Sequence, residues 1–78
     1  MLTFELADAI TTCMMELFRA GNMFKRAALV MIIKKRYPRL VYPRLDLDIG
    51  QALNRLIHTG ELQRIAGSFY APGKRYCR

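Results

Sequence analysis

The chain has 78 residues, of which 53% are hydrophobic and 24% charged, and its net charge at pH 7 is +7. A chain of this length is expected to form one domain, residues 1–78, with a small core. Its longest apolar run is too short to span a bilayer, and its acidic start, MLTFELAD, does not match a signal peptide, so we expect a cytoplasmic protein with no membrane partner, associated with the nucleoid if bacterial or viral.

The first predicted helix covers residues 4–20. Apolar side chains recur there at spacings of three and four: Leu6, Ile10, Cys13, Met14 and Leu17. Thr3 can accept a hydrogen bond at the start of this helix, and Gly21 suits a left-handed exit at its end. The pattern therefore predicts an amphipathic helix with one face in the core.

The second predicted helix covers residues 24–36 and has apolar residues on two faces. One face carries Phe24, Ala27, Ala28, Met31 and Ile32, and the nearly opposite face carries Leu29, Val30 and Ile33. Such a helix needs cover on both sides. We therefore expect an apolar surplus, including Met15, Leu29 and Ile33, that could form the contact face of a homodimer.

Positive charge is concentrated in the middle of the chain. Residues 23–45 contain seven Lys or Arg and no Asp or Glu. A surface of this kind attracts polyanions, either nucleic acid or an anionic membrane, although charge can also serve solubility alone. Lys25 and Arg26 oppose the positive pole of the second helix, which indicates either phosphate contacts or side chains that simply extend into solvent.

The tetrapeptide YPRL occurs twice, at residues 37–40 and 42–45. Proline lacks an amide donor and disfavours helical angles in the residue before it, so Tyr37 should end the second helix and Tyr42 should not be helical. We therefore predict an extended loop, anchored to the core by its tyrosines and leucines, from which the arginines emerge.

The third predicted helix covers residues 47–59. Asp46 or Asp48 is expected to cap its start, and Gly60 is expected to follow its end. Its outward residues are predicted to be Gly50, Gln51, Asn54, Arg55 and His58.

The last part of the chain predicts a β-hairpin over about residues 62–72. Leu62 and Ile65 alternate with polar residues, and Ala66-Gly67-Ser68 forms a short turn before the return strand. Residues 73–78 are expected to form a loose basic tail.

The sequence offers no constellation for catalysis. It contains one histidine, six acidic residues spread along the chain and no glycine-rich phosphate loop, so we expect no enzyme activity, no cofactor and no small-molecule substrate. The spacing of Cys13, His58 and Cys77 fits no metal site, and the two cysteines are expected to be separate thiols. For His58 we expect a structural role at the surface.

The stretch ALNRLIHTGELQRIAGSFYAP, residues 52–72, resembles the end of the recognition helix and the wing strands of winged-helix transcription regulators. Its central part, GELQRIAGSFY, is also similar to the corresponding part of linker-histone globular domains. The resemblance implies an α+β winged-helix fold, with a three-helix core followed by a short β-hairpin wing. It also implies double-stranded DNA as a partner.

The resemblance assigns roles to individual residues. Gln51, Asn54 and Arg55 would occupy base-reading positions on the third helix. The phosphate-contacting positions would be Lys25, Arg26, Arg44, Arg64 and Ser68. Two features depart from the pattern, because Asp46 and Asp48 place negative charge at the start of the third helix and the wing turn is short. Both weaken sequence-specific base reading and leave electrostatic contact with phosphates intact.

The sequence therefore predicts a small DNA-binding protein, either a transcriptional regulator or an accessory factor, which could act as a homodimer. The alternative is a winged-helix module that binds another protein and no nucleic acid. RNA binding is a third alternative, which is disfavoured because Tyr37, Tyr42 and Tyr70 are expected to pack rather than to stack on bases. On the DNA hypothesis, Arg55→Ala should relax base preference and Lys25→Ala should weaken binding to all sequences alike.

Overall fold

The structure, a computed structural model, describes residues 3–76. Within them the chain forms three helices and a two-stranded antiparallel hairpin: α1 (Phe4–Arg19), α2 (Arg26–Arg36), α3 (Leu45–Thr59), β1 (Leu62–Ile65) and β2 (Phe69–Pro72). Short 3-10 turns occupy Pro38–Leu40 and Ala66–Ser68. The fold class is α+β, as the sequence predicts. None of the helices in this part of the chain is long and apolar enough to cross a membrane.

The helices and β1 enclose one hydrophobic cluster. Its largest fully buried side chains are Leu6, Ile10, Cys13, Leu29, Ile33, Leu45, Ile49, Leu53 and Leu62. In each helix these residues recur at spacings of three or four, so one face of the helix leaves water while the other stays exposed. Removal of these faces from water is the main force that holds the three helices together.

The two apolar faces predicted for α2 differ in how far they enter this cluster. Leu29 and Ile33 are fully buried, whereas Ala27 and Met31 on the other side are exposed. The expectation that Leu29 and Ile33 belong to a homodimer face is therefore wrong, because both side chains pack inside the monomer. Met15, the third residue of that expectation, is half-buried.

Four predicted helix ends are confirmed. The side-chain oxygen of Thr3 accepts a hydrogen bond from the Leu6 amide at 3.1 Å, as an N-cap does. Gly21 follows α1 with a φ of 80°, and Gly60 follows α3 with a φ of 87°. Tyr37 is the C-cap of α2, directly before Pro38. These ends are determined by local backbone preferences, which explains why the sequence reveals them.

The start of α2 differs from the prediction. The helix begins at Arg26, two residues late, because Phe24 forms an antiparallel bridge with Tyr70 of β2. The Phe24 amide donates to the Tyr70 carbonyl at 3.2 Å, and the Tyr70 amide donates to the Phe24 carbonyl at 2.7 Å. The two rings stack with their centroids 5.4 Å apart. Pairing with a distant strand therefore overrides the helical pattern at Phe24.

The start of α3 also differs. The helix begins at Leu45, so Asp46 and Asp48 lie inside its first turns and neither caps it; the N-cap position is Arg44, without a side-chain hydrogen bond. The Tyr42 hydroxyl donates to the Asp48 carboxylate at 2.6 Å, which turns this carboxylate inward. The loop before α3 is likewise not fully extended, because it contains the 3-10 turn that starts at Pro38.

The hairpin matches the prediction in its bounds and its turn. Its register pairs Leu62 with Pro72 and Ile65 with Phe69, which leaves a three-residue turn. Gly67 and Ser68 in that turn both have positive φ, at 78° and 66°. Glycine adopts this conformation without strain, and serine does so less readily.

The residues after the hairpin are not a loose tail as far as the structure describes them. The Gly73 amide donates to the Glu61 carbonyl at 2.9 Å, and the Arg75 amide donates to the Gly60 carbonyl at 2.8 Å. The ring of Tyr76 packs edge-on against Phe18, with the centroids 5.2 Å apart. These contacts return the chain to the end of α3 and then to α1; of the predicted tail, residues 77–78 lie outside the described part.

Candidate nucleic-acid interface

The outward face of α3 carries an uncharged polar stripe. At about 100° per residue, positions 47, 51, 54 and 58 fall on one side of the helix, opposite the buried Leu45 and Leu53. Gln51, Asn54 and His58 are all exposed, as their spacing predicts. Their side chains provide hydrogen-bond donors and acceptors to a surface that approaches α3 from outside.

Leu47 belongs to the same stripe and the sequence analysis missed it. Its side chain is 48% exposed although leucine is usually buried. The signal was present in the spacing, because Leu47, Gln51 and Asn54 stand at i, i+4 and i+7. It was overlooked because the helix was expected to begin at position 47 itself.

Arg55 lies at one edge of the stripe. Its side chain is exposed, and together with Ala7 and Thr11 of α1 it lines a shallow depression between the two helices. Gln51, one turn earlier, is its neighbour on the stripe, whereas Asn54 lies toward the other edge. The helix thus presents amides near its centre and the guanidinium group on the side of α1.

Gly50 is buried, which corrects the prediction that it faces outward. The side chain of Arg26 lies across it, and a Cβ atom added at Gly50 would stand only 2.8 Å from Arg26 Nη1. Arg26 remains exposed on its outer side. Contact between α2 and α3 therefore brings a guanidinium group against α3. Sequence spacing within either helix could not reveal this, because it depends on how the two helices cross.

The start of α2 is positively charged, and its first turn contains no acidic side chain to neutralise it. Lys25 occupies the N-cap position without a side-chain hydrogen bond, and the first turn of α2 contains no acid. The Lys25 ammonium group lies 5.2 Å from the ring centroid of Phe69, at the start of β2. This cation–π contact holds the lysine between the helix start and the hairpin. The backbone dipole and the lysine charge have the same sign here.

The hairpin contributes the remaining predicted residues. The guanidinium carbon of Arg64 lies 5.7 Å from the Tyr70 ring centroid, and the arginine is exposed. Ser68 is exposed in the turn. Tyr70 is the residue whose backbone bridges to Phe24, so the arginine of the hairpin and the start of α2 are connected through one buried ring.

Arg44 is exposed at the start of α3, next to the contact between Tyr42 and Asp48. The hydrogen bond from Tyr42 lowers the pKa of the Asp48 carboxyl, and the Arg44 charge acts in the same direction. Burial and the neighbouring carboxylate raise the pKa of Tyr42 to about 12. Tyr42 and Arg44 thus stabilise the negative charge of Asp48, and of the two aspartates in the first turns of α3 only Asp46 is exposed.

Two other arginines of the basic segment are engaged by α1. Arg36 Nη1 lies 2.5 Å from Glu16 Oε1, and Arg39 Nη2 lies 2.8 Å from Glu5 Oε2. Among residues 3–76 the structure gives no such ion pair for Lys25 or for Arg26. The seven cations of this segment therefore do not form a single patch.

The candidate interface consists of amides, cations, one imidazole, one hydroxyl and one leucine. Cys13 is a free thiol inside the core, where burial raises its pKa, and Cys77 lies outside the described residues. In the described part of the chain no group of three or more His, Cys, Asp or Glu side chains could hold a metal ion. No family model, no curated protein and no solved structure matches this chain.

Proposed function

We propose that this chain is a winged-helix protein that binds double-stranded DNA, as a transcriptional regulator or as an accessory factor. One observation carries the proposal: an exposed polar stripe on α3 has unneutralised cations beside it, with Arg26 packed against the same helix at Gly50. Polar side chains that read bases and cations that hold phosphates are the two components of a DNA interface.

In the proposed complex α3 lies in the major groove, which is wide enough to admit a helix. Asn54 and Gln51 suit the N6 and N7 edge of adenine, and exposed apolar side chains suit the C5-methyl group of thymine. Leu47 would supply that apolar contact. The combination favours a site that contains A·T pairs, whereas Arg55 at the α1 edge would read a guanine beside them.

Phosphate contacts come from the two sides of α3. Lys25 and Arg26 extend from the start of α2, where the helix dipole also favours an anion. Arg44 stands at the start of α3, and Arg64 and Ser68 extend from the hairpin, which acts as the wing. Each cation that contacts a phosphate displaces a condensed counterion, so affinity depends strongly on salt.

The fit at the start of α3 also bears on the proposal. Two aspartates there would oppose phosphate if both faced outward. Because Asp48 hydrogen bonds to Tyr42 and is buried, Asp46 is the one of the two aspartates that places negative charge on the outer surface. One carboxylate rather than two would therefore repel the DNA phosphates at the start of α3.

The test is a binding titration of the purified chain with a fluorescent duplex at salt concentrations from about 50 to 200 mM. We expect the logarithm of affinity to fall linearly with the logarithm of salt. Lys25→Ala should reduce the magnitude of that slope by about one and weaken all duplexes alike. Lys74→Ala, which removes a lysine from the C-terminal segment, is the matched control. Absence of binding at low salt, or an equal effect of the two variants, would contradict the proposal.

A further inference from the structure

The outer face of α2 is apolar although it is not covered by the rest of the chain. Met31 is 71% exposed and Met23, just before the helix, is 51% exposed. Ala27 lies between them at a spacing of four residues and is exposed as well. Two methionines and an alanine in water, on a chain of this size, leave an apolar surface that a contact would cover.

This surface is concave. Met23, Ala27, Ala28 and Met31 form its apolar floor, Phe69 of the hairpin also lines it, and its volume is about 420 Å³. We call it the α2 groove. Methionine side chains are flexible and polarisable, and such surfaces adapt to the side chains of an inserted helix. A groove receives a protruding side chain, whereas insertion into a lipid bilayer requires apolar groups that protrude from the protein.

Positive charges stand at both ends of the α2 groove. Lys25 lines it at the start of α2, and the exposed Lys34 and Lys35 follow Met31 by one turn on the same side of the helix. Ten residues separate the two ends, which corresponds to about 15 Å, or nearly three helical turns. None of the described residues that line the groove is acidic.

A second copy of the chain does not match this pattern. Glu5 and Glu16 are already paired with arginines of the same chain, and Asp48 is held inward by Tyr42. The remaining acids lie on α1, on α3 and in the connection between α3 and β1, and form no stripe: Asp8, Asp46 and Glu61. Two copies with a net charge of +7 each would also repel one another.

DNA does not match it either, because the floor of the groove offers no polar group to a phosphate or a base edge. From the apolar floor and the flanking lysines, we propose that the α2 groove binds an acidic amphipathic helix of a partner protein. Leucine-like side chains of that helix fill the space between Met23, Met31 and Phe69. Carboxylates at its two ends meet Lys25 and the pair Lys34 and Lys35. Lys25 belongs to both surfaces, but this inference does not rest on the proposed DNA binding, since Met31 and Lys35 belong to neither the α3 stripe nor the proposed phosphate contacts.

The experiment screens a displayed library of random peptides of about fourteen residues, or four helical turns, against the folded full chain. We expect the enriched peptides to carry Asp or Glu near both ends and large apolar residues at helical spacing between them. Met31→Glu should weaken the best peptide by at least about tenfold, as expected for a central contact. The double variant Lys34→Glu, Lys35→Glu should weaken it as well.

Matched controls separate this site from the DNA interface. Leu47→Glu makes the same kind of change at an equally exposed apolar residue of α3 and should leave peptide binding unchanged. Met31→Glu in turn should leave DNA affinity within about threefold, because it is one added charge away from α3. Both positions are exposed, so the circular dichroism spectrum should not change in either variant.

Several outcomes would overturn the proposal. One is a selection that enriches no peptide, or enriches peptides without acidic residues. Another is a selected peptide whose binding is insensitive to Met31→Glu. The same holds if sedimentation reveals self-association that Met31→Glu abolishes, which would assign the groove to a second copy. Binding to vesicles of phosphatidylserine that depends on Met31, without any peptide binding, would assign it to a membrane.

Discussion

The two ends of α2 use the same residue types in opposite ways. At its C-terminal end Arg36 contacts Glu16, and Arg39 beyond it contacts Glu5, so both arginines attach the segment to α1. At its N-terminal end Lys25 and Arg26 lie between α3 and the hairpin, where the structure gives them no carboxylate partner among the described residues. The two arginines at one end are neutralised within the fold, whereas Lys25 and Arg26 at the other end are not.

The difference shows that a run of basic residues in a sequence is not yet a binding surface. Residues 23–45 contain seven cations, yet tertiary structure assigns some of them to ion pairs within the chain. The acids of α1 are distant in sequence and act only on the cations that the helix crossing brings to them. The following predictions test whether the division between the two ends holds.

Charge reversal at each end of α2 is expected to give the largest contrast. Lys25→Glu with Arg26→Glu should lower affinity for duplex DNA by at least about thirtyfold at low salt and reduce the salt slope by about two. Arg36→Glu with Arg39→Glu makes the same change in net charge, but should lower affinity by less than about threefold because those sites face α1. Fluorescence anisotropy measures both. Equal losses would remove the distinction between the two ends.

Truncation of Asn54 tests base reading on the side of α3 that faces the free cations. Asn54→Ala should reduce preference at one base pair by about tenfold, the discrimination that a bidentate amide contact supplies, without changing affinity for random DNA. Selection from a randomised duplex, followed by sequencing, measures the preference. Thr59→Ala, near the exposed end of α3, is the control. A uniform loss of affinity would instead indicate that Asn54 contacts phosphate.

The hydrogen bond between Tyr42 and Asp48 joins the loop after α2 to α3, and its contribution to stability should respond to pH. Tyr42→Phe removes the hydroxyl and should lower the thermal unfolding midpoint by a few degrees near neutral pH, as expected for the loss of one hydrogen bond in a small domain. The folded state raises the pKa of Tyr42 from 10 to about 12, so its contribution is complete below pH 10 and is lost as the pH rises through about 12.

The contribution of Asp48 to stability depends on pH in the opposite direction, because it is lost as the pH falls. The pKa of Asp48 is lowered from 3.8 by the hydrogen bond from Tyr42, so its contribution is complete above that value and is lost as the pH falls through the pKa of the folded state. The difference in stability between the wild type and Tyr42→Phe should therefore be largest at intermediate pH and smaller at both extremes. A difference that does not change with pH would contradict the assignment.

Release of the paired arginines should have the smallest effect. Glu5→Gln with Glu16→Gln removes both carboxylates that hold Arg36 and Arg39, and should raise affinity for DNA by no more than about threefold because exposed charges at this distance from α3 are screened by salt. A much larger gain would mean that the C-terminal end of α2 also approaches the duplex. The same titration as for the charge reversals measures it.

Features that depend on local backbone chemistry could be predicted from the sequence. Thr3 caps α1, Gly60 follows the end of α3, and α2 ends at Arg36 with Tyr37 as its C-cap before Pro38, because each effect acts within a few residues. The hairpin turn at residues 66–68 belongs to the same class.

Features that depend on contacts between distant segments could not be predicted from the sequence. Phe24 follows the helical pattern of α2 but pairs with β2, and Gly50 looks outward on a helical wheel but is covered by Arg26. The exposed positions of Gln51 and Asn54 follow from periodicity alone. Which cations stand beside them follows from the crossing of α2 and α3, and that crossing is set by the whole core.

The bridge between Phe24 and Tyr70 has a mechanical consequence. Two backbone hydrogen bonds and a ring stack fasten the hairpin to the entry of α2, so neither can swing without breaking them. The hairpin and the start of α2 therefore form one rigid unit, and the distance between them is fixed. A ligand that contacts both the hairpin and the start of α2 binds to elements whose spacing is already fixed by folding. Its affinity is therefore not lowered by the entropy cost of ordering them.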